Sequence, residues 1–249
     1  MSLIERYKKG ETIEVYQDIY NLGENAFEKA FFQDVEQVLI ETFQRVRYNL
    51  EVIYEALIEH KYQFKTDLVC TSDYPIAKPL QNCGKLLKKL DKEVKPFGYV
   101  PLTFKMFFKI VGSCNFGWDY ETNPDLLWAY ADPIQIDALD DIIEIMEDED
   151  WKDIMQEEID EDKDCLPNIS FSADYYHKDN VSGGQAYAIE ITKRQSVDSR
   201  VLFEEHETTF INYLRLHFDN CGFIRINNSD YANDFTSFFE KVKPKLKKI

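Results

Sequence analysis

Apolar residues recur at helical intervals through the N-terminal third of the chain. Phe27, Phe31, Val35, Leu39, Val46, Leu50, Ile53 and Leu57 are spaced mostly by three, four or seven. An α-helix turns once every ~3.6 residues, so this spacing lines one face. It predicts one long helix or two shorter ones from about Glu24 to His60, uninterrupted by Pro or Gly. Glu36, Glu41, Arg45, Arg47 and Glu51 fall on the polar face. A helical hairpin packed on the rest of the chain would bury the apolar face; coiled-coil self-association is the alternative.

The pattern then breaks. Cys70 to Pro79 holds Thr, Ser, Asp and two prolines and reads as a loop. Leu80 to Val94 predicts a helix with Leu86, Leu87, Leu90 and Val94 inward, stopped at Pro96. A second helix opens at Val100-Pro101-Leu102, with Phe104, Phe107, Phe108 and Val111 as its apolar face and Gly112 as its stop. Beyond Gly112, short apolar and aromatic runs predict strands at Leu126–Tyr130, Ile134–Ile136, Asn168–Phe171, Ala186–Ile191 and Gly222–Ile226. Between them lies an acidic helical stretch from Ala138 to about Ile159, and helices at Glu205–Phe218 and Tyr231–Val242 close the chain. Short strands with long segments between them predict an α+β fold: a mostly antiparallel sheet flanked by helices, with an N-terminal helical extension. Residues 1–95 form the expected extension, packed on a main domain of residues 96–249.

Charge narrows the function. The 249 residues include 29 Lys and Arg against 46 Asp and Glu, a net charge of −17, while 44% are apolar. This is a globular composition with a real core. Nucleic-acid binders neutralise phosphates with Lys and Arg, so a nucleic acid is an unsuitable partner here. A basic protein would be drawn to this field, although the same charge also serves solubility alone. The start (Ser-Leu-Ile-Glu-Arg-Tyr-Lys-Lys after Met1) lacks an apolar leader, and no run approaches a membrane span. The five cysteines show no C-x-x-C spacing and read as reduced thiols. A cytoplasmic location without membrane contact is the expectation.

Asp140 to Asp164 holds fourteen acidic residues and two lysines. Glu147, Asp148, Glu149, Asp150, Asp153, Glu157 and Glu158 form the candidate face for a basic partner, against the plain alternative of a solvated helix surface. Asp160-Glu161-Asp162-Lys163-Asp164 lacks the turn glycine and terminal glutamate of a calcium loop. His206 and His217, on one predicted helix, would lie about 16 Å apart and cannot share a metal. His177 could join Asp174 and a distant Cys around zinc, but a polar loop ending in a glycine turn is the simpler reading. Ser182-Gly183-Gly184 is no nucleophile elbow. No metal, cofactor or catalytic residue is assigned. Trp118, Tyr130, Asp132, Asp174, Tyr176 and His177 are the candidate cleft residues, and Tyr120 lies near them in sequence. The five lysines from Lys241 to Lys248 read as a frayed, solvated tail.

Val100-Pro101-Leu102-Thr103-Phe104-Lys105-Met106-Phe107-Phe108-Lys109-Ile110-Val111-Gly112 resembles the start of domains in the SUKH superfamily. Thr209-Phe210-Ile211-Asn212-Tyr213-Leu214-Arg215 resembles the helix near that domain's end. The chain also resembles uncharacterised bacterial proteins of similar length in blocks such as Arg47-Tyr48-Asn49, Ala131-Asp132-Pro133 and Asn180-Val181-Ser182-Gly183-Gly184. The SUKH resemblance covers about residues 96–220 and implies an α+β domain without catalytic activity. It also implies a protein partner, as in bacterial immunity proteins that neutralise a toxin. The leading expectation is therefore a non-enzymatic protein-binding protein of immunity type, directed at a basic toxin. The alternatives are an enzyme of unknown class with a site near Asp132, Asp174, Tyr176 and His177, and a scaffold or oligomerisation module using the helical extension.

Overall fold

A computed structural model of the chain describes residues 1–65, 75–147, 149–228 and 232–249. Helices α1 (Leu3–Lys8), α2 (Thr12–Leu22) and α3 (Lys29–Glu59) open it. The predicted long helix is α3, 31 residues without a break; its expected first turn is a separate 3-10 turn, Gly23–Phe27, because Glu28 is extended. The shorter α1 and α2 were not predicted. Ser2 and Glu5 cap α1 reciprocally, and its first N–H groups donate to Asp34 of α3, with Leu3 N at 2.6 Å. Tyr7 and Tyr16 then meet at the buried Thr42 hydroxyl (2.8 and 3.0 Å), so three helices share one interior.

Next come β1 (Ile76–Ala77), α4 (Cys83–Val94), α5 (Leu102–Ile110) and β2 (Ser113–Asn115). Gly112 stops α5 as expected, at φ +107°, where a side chain would run into the carbonyl of Ala77. After β3 (Gln135–Ile136) follow α6 (Leu139–Glu147), α7 (Glu149–Glu161), β4 (Asn168–Ser172), α8 (Tyr175–Lys178), β5 (Tyr187–Glu190), β6 (Val201–Leu202), α9 (Phe210–Asp219) and α10 (Ala232–Val242). The fold is α+β. Its strands make two three-stranded antiparallel sheets among the described residues, ordered β1-β2-β3 and β4-β5-β6.

Two expected strands are absent. Leu126–Tyr130 is a turn region, and its Trp128 enters an aromatic cluster with Tyr62, Phe223, Phe235 and Phe238. Gly222–Ile226 makes only one antiparallel bridge, Phe223 to Pro133. The facing segment explains this: Asp132 sits at φ +52°, and Pro133 has no N–H to extend a ladder. The helix expected from Glu205 begins only at Phe210, because Glu207 is left-handed (φ +46°) and Thr208 O accepts from Val201 N. His206 therefore lies outside the helix that carries His217. Part of the expected Cys70–Pro79 loop, including Cys70, and Tyr231 lie outside the described residues.

One hydrophobic cluster runs across the 95/96 boundary, joining Val35, Phe43 and Leu57 to Phe107, Phe171 and Phe210. Phe43 meets Phe107 edge-on at 6.2 Å. Asp198 ties the same regions polarly: it accepts from Tyr20 Oη (2.8 Å) of α2, Thr103 Oγ1 (2.8 Å) of α5 and Ile211 N (3.2 Å) of α9. The lysine-rich end is docked, contrary to the frayed tail expected. The amide of Asn49 on α3 both accepts from Lys247 N and donates to Lys247 O, each at 2.8 Å, and Ile249 is buried. No helix among the described residues is long and apolar enough to cross a membrane.

Candidate functional site

The six residues Asp174-Tyr175-Tyr176-His177-Lys178-Asp179 contain the single-turn helix α8, and their side chains organise the region around it. Asp174 is its N-cap and accepts from Tyr176 N (2.7 Å) and His177 N (3.2 Å). A short carboxylate side chain suits this position because it satisfies N–H groups that have no partner within the helix. Its second oxygen meets Nδ1 of His177, whose side chain is half exposed. Lys178 turns inward and is buried, with Nζ 2.5 Å from Asp132 Oδ1. Tyr187 Oη of β5 donates to the other Asp132 oxygen at 2.8 Å, and its ring faces Lys178 Nζ at 4.8 Å. Asp179 accepts from Tyr130 N. Three consecutive residues thus reach Asp174, Asp132 and Tyr130.

The interior beside this helix is unusually polar. Tyr213 and His217, both on α9, are buried with rings 4.6 Å apart, and neither Tyr213 Oη nor His217 Nε2 makes a hydrogen bond among the described residues. Burial pushes the Tyr213 hydroxyl upward, and nearby Asp132 adds to that shift. Burial likewise holds His217 well below the usual imidazole range, with the Lys178 cation reinforcing it. The neutral His217 ring sets Nδ1 3.3 Å from the carbonyl of Gly222. Asp179 is half-buried. Burial raises its carboxyl to about 6; Asp132 adds to the rise, while Lys178 and Arg225 oppose it. Arg225 is committed elsewhere, to Glu205 and to the ring of Tyr175 at 3.9 Å.

The expected cleft residues separate into two groups. Asp132 and Asp174 are buried and engaged in the contacts above. Tyr130 and Tyr176 stand out at the surface, 45% and 39% exposed, beside the half-exposed His177. Trp118 joins neither group: it is buried, donates Nε1–H to Asn123 O (2.8 Å) and packs on Tyr62 at 5.0 Å. Tyr120 reaches the region through its hydroxyl, which donates to His177 O at 3.0 Å. Lys178, Asp179, Tyr187 and Tyr213 were not singled out in the sequence. A four-residue helix has no period that could have revealed which way Lys178 turns.

The Ser182-Gly183-Gly184 turn also finds a role here. A Cβ on Gly184 would fall on the Asp174 carboxylate, so the chain passes directly over the cap. Gly184→Ala is expected to displace Asp174 and to cost about 1–2 kcal/mol through the lost cap. Denaturant melts check the stability, and the backbone amide NMR signals of Tyr176 and His177, which donate to Asp174, should shift. Unchanged Tyr176 and His177 amide signals would show that the cap survives.

The acidic stretch lies on α6 and α7. Glu147 pairs with Lys89, and Lys152 pairs with Glu93 of α4. Asp148 lies outside the described residues, and Glu149 opens α7. Asp150, Asp153, Glu157 and Glu158 are exposed and make no ion pair among the described residues. With Ile154, which is 52% exposed, they follow the i, i+3, i+4, i+7, i+8 spacing of one helix face. Trp151, Met155 and Ile159 take the other face, where Trp151 meets Phe97 at 5.5 Å.

Among the described residues, no group of three or more His, Cys, Asp or Glu side chains is placed to hold a metal ion. Comparisons with protein-family models, with curated proteins and with solved structures find no match to this chain.

Proposed function

We propose that this chain is a non-enzymatic protein-binding protein of bacterial immunity type, whose acidic face takes and neutralises a basic toxin. The observation that carries this reading is the outer stripe of α7: four unpaired carboxylates around an exposed isoleucine, on a chain of net charge −17. The C-terminal half of the stripe, Glu157 and Glu158, opposes the helix's own needs. Carboxylates near a helix C-terminus face the negative end of its dipole, and the last turn of α7 has no basic residue. A surface that departs from the locally favoured choice is what a recognition face looks like. The SUKH resemblance of Val100–Gly112 and Thr209–Arg215 supports the same reading.

Replacing Glu157 and Glu158 with Lys should therefore act in opposite directions on folding and binding. Thermal melts should show a gain of about 0.3–1 kcal/mol per substitution. Affinity capture from native lysate, read by mass spectrometry, should return a basic protein. That protein should be lost with the double variant and should be weakened between about 0.05 and 0.5 M salt. A partner held equally by both forms at both salt levels would sink the electrostatic reading.

A further inference from the structure

We infer that the rim of α8 is a second contact for that basic partner, taking an arginine side chain on the rings of Tyr130 and Tyr176 and the carboxylate of Asp179. This rests on the basic partner proposed above. The nearby acids are otherwise satisfied. Asp132 has Lys178 and Tyr187, and Asp174 has two N–H groups and His177. Glu204 has the backbone N and ring of His206. Among the described residues, Asp179 accepts only from the N–H of Tyr130 and makes no ion pair. The two cations that face it, Lys178 and Arg225, are held by Asp132 and Glu205. A half-buried carboxylate without a counter-ion attracts a cation more strongly than one in open water.

The tyrosines supply the second component. Tyr130 is a non-glycine residue at φ +59°, yet its ring is turned outward. Strained backbone that displays a large exposed side chain is typical of binding sites. Tyr176 is linked to it through Asp179: Asp179 N donates to Tyr176 O (3.0 Å) while the Asp179 carboxylate accepts from Tyr130 N, and the Tyr176 ring leans on that of Tyr175 at 4.0 Å. Val181, whose N–H donates to Tyr176 O (2.8 Å), is 42% exposed and extends the apolar rim. Exposed tyrosine rings on residues bonded to an unpaired aspartate suit a planar guanidinium, which can stack and hydrogen-bond together; a lysine ammonium offers only the point charge.

The test uses the full chain and the acetylated, amidated peptide Gly-Arg-Gly, followed by NMR. The expected result is saturable shifts at the Tyr130 and Tyr176 rings and a fall of the Asp179 carboxyl from about 6. Asp179→Asn keeps an acceptor for Tyr130 N but removes the charge, and should weaken the peptide by about tenfold or more. The same peptide with norleucine in place of arginine should leave the rings unmoved. Ring shifts of equal size in Asp179→Asn, or with norleucine, or no shifts at all in the unaltered chain, would each overturn the inference. If the peptide fails while α7 still captures a basic protein, only this second contact falls. If the peptide binds but no basic protein is ever captured, the α8 cation site stands without the toxin reading.

Discussion

Lys178→Met should lower folding stability by about 3–5 kcal/mol, although the new side chain nearly matches the old in length. The loss comes from what is left behind. Asp132 is buried, and without Lys178 its charge faces only the Tyr187 hydroxyl. Taking a carboxylate out of water costs several kcal/mol, and the ammonium 2.5 Å away is what offsets it. Adding Asp132→Asn removes the orphaned charge, and asparagine tolerates the φ of +52° at that position. The double variant should therefore recover most of the loss. Urea denaturation of the three forms gives the comparison. A loss below about 1 kcal/mol in Lys178→Met would mean that water reaches Asp132 and that the pair is not the buried link described.

Asp198→Ala should cost about as much, 3–5 kcal/mol, through unsatisfied donors. Its carboxylate is the shared acceptor of Tyr20, Thr103 and Ile211, groups on α2, α5 and α9. Each shielded donor left alone costs roughly 1–3 kcal/mol. Asp198 also predicts a pH dependence. Burial raises its carboxyl above the ordinary value in the folded chain. A raised carboxyl contributes stability that is complete below the unfolded pKa, about 3.9, and fades as pH rises through the folded one. The stability gap between the unaltered chain and Asp198→Asn should thus be wider near pH 4 than near pH 8, at about 25 °C. Paired denaturant melts at the two pH values measure it, and a gap that widens with pH contradicts the assignment.

The sequence was legible where periodicity was long. The stripe through Val35, Val46 and Leu57 became α3, and the run Ala186–Ile191 became β5. It was illegible where aromatic residues served a cluster rather than a sheet. Trp128 and Phe223 have strand-like neighbours, yet they face each other across 5.0 Å in a packed aromatic group. Local pattern cannot show which distant side chains will meet. The Asp198 contacts show the same limit, since Tyr20 and Asp198 stand 178 positions apart. For the candidate site, Asp132, Asp174 and His177 could be marked as polar residues near turns. Their partition into a closed ion pair and an exposed rim depends on the inward turn of Lys178, which no spacing encodes.

The two sides of α7 answer to different constraints. Trp151 and Met155 must go on fitting the body of the protein, whereas Asp153, Glu157 and Glu158 are exposed and make no ion pair among the described residues. Mutations on the outward side can accumulate without unfolding their carrier. Under the proposed toxin-binding reading, a lineage pressed by a changing adversary would revise its recognition there generation by generation while inheriting the same scaffold.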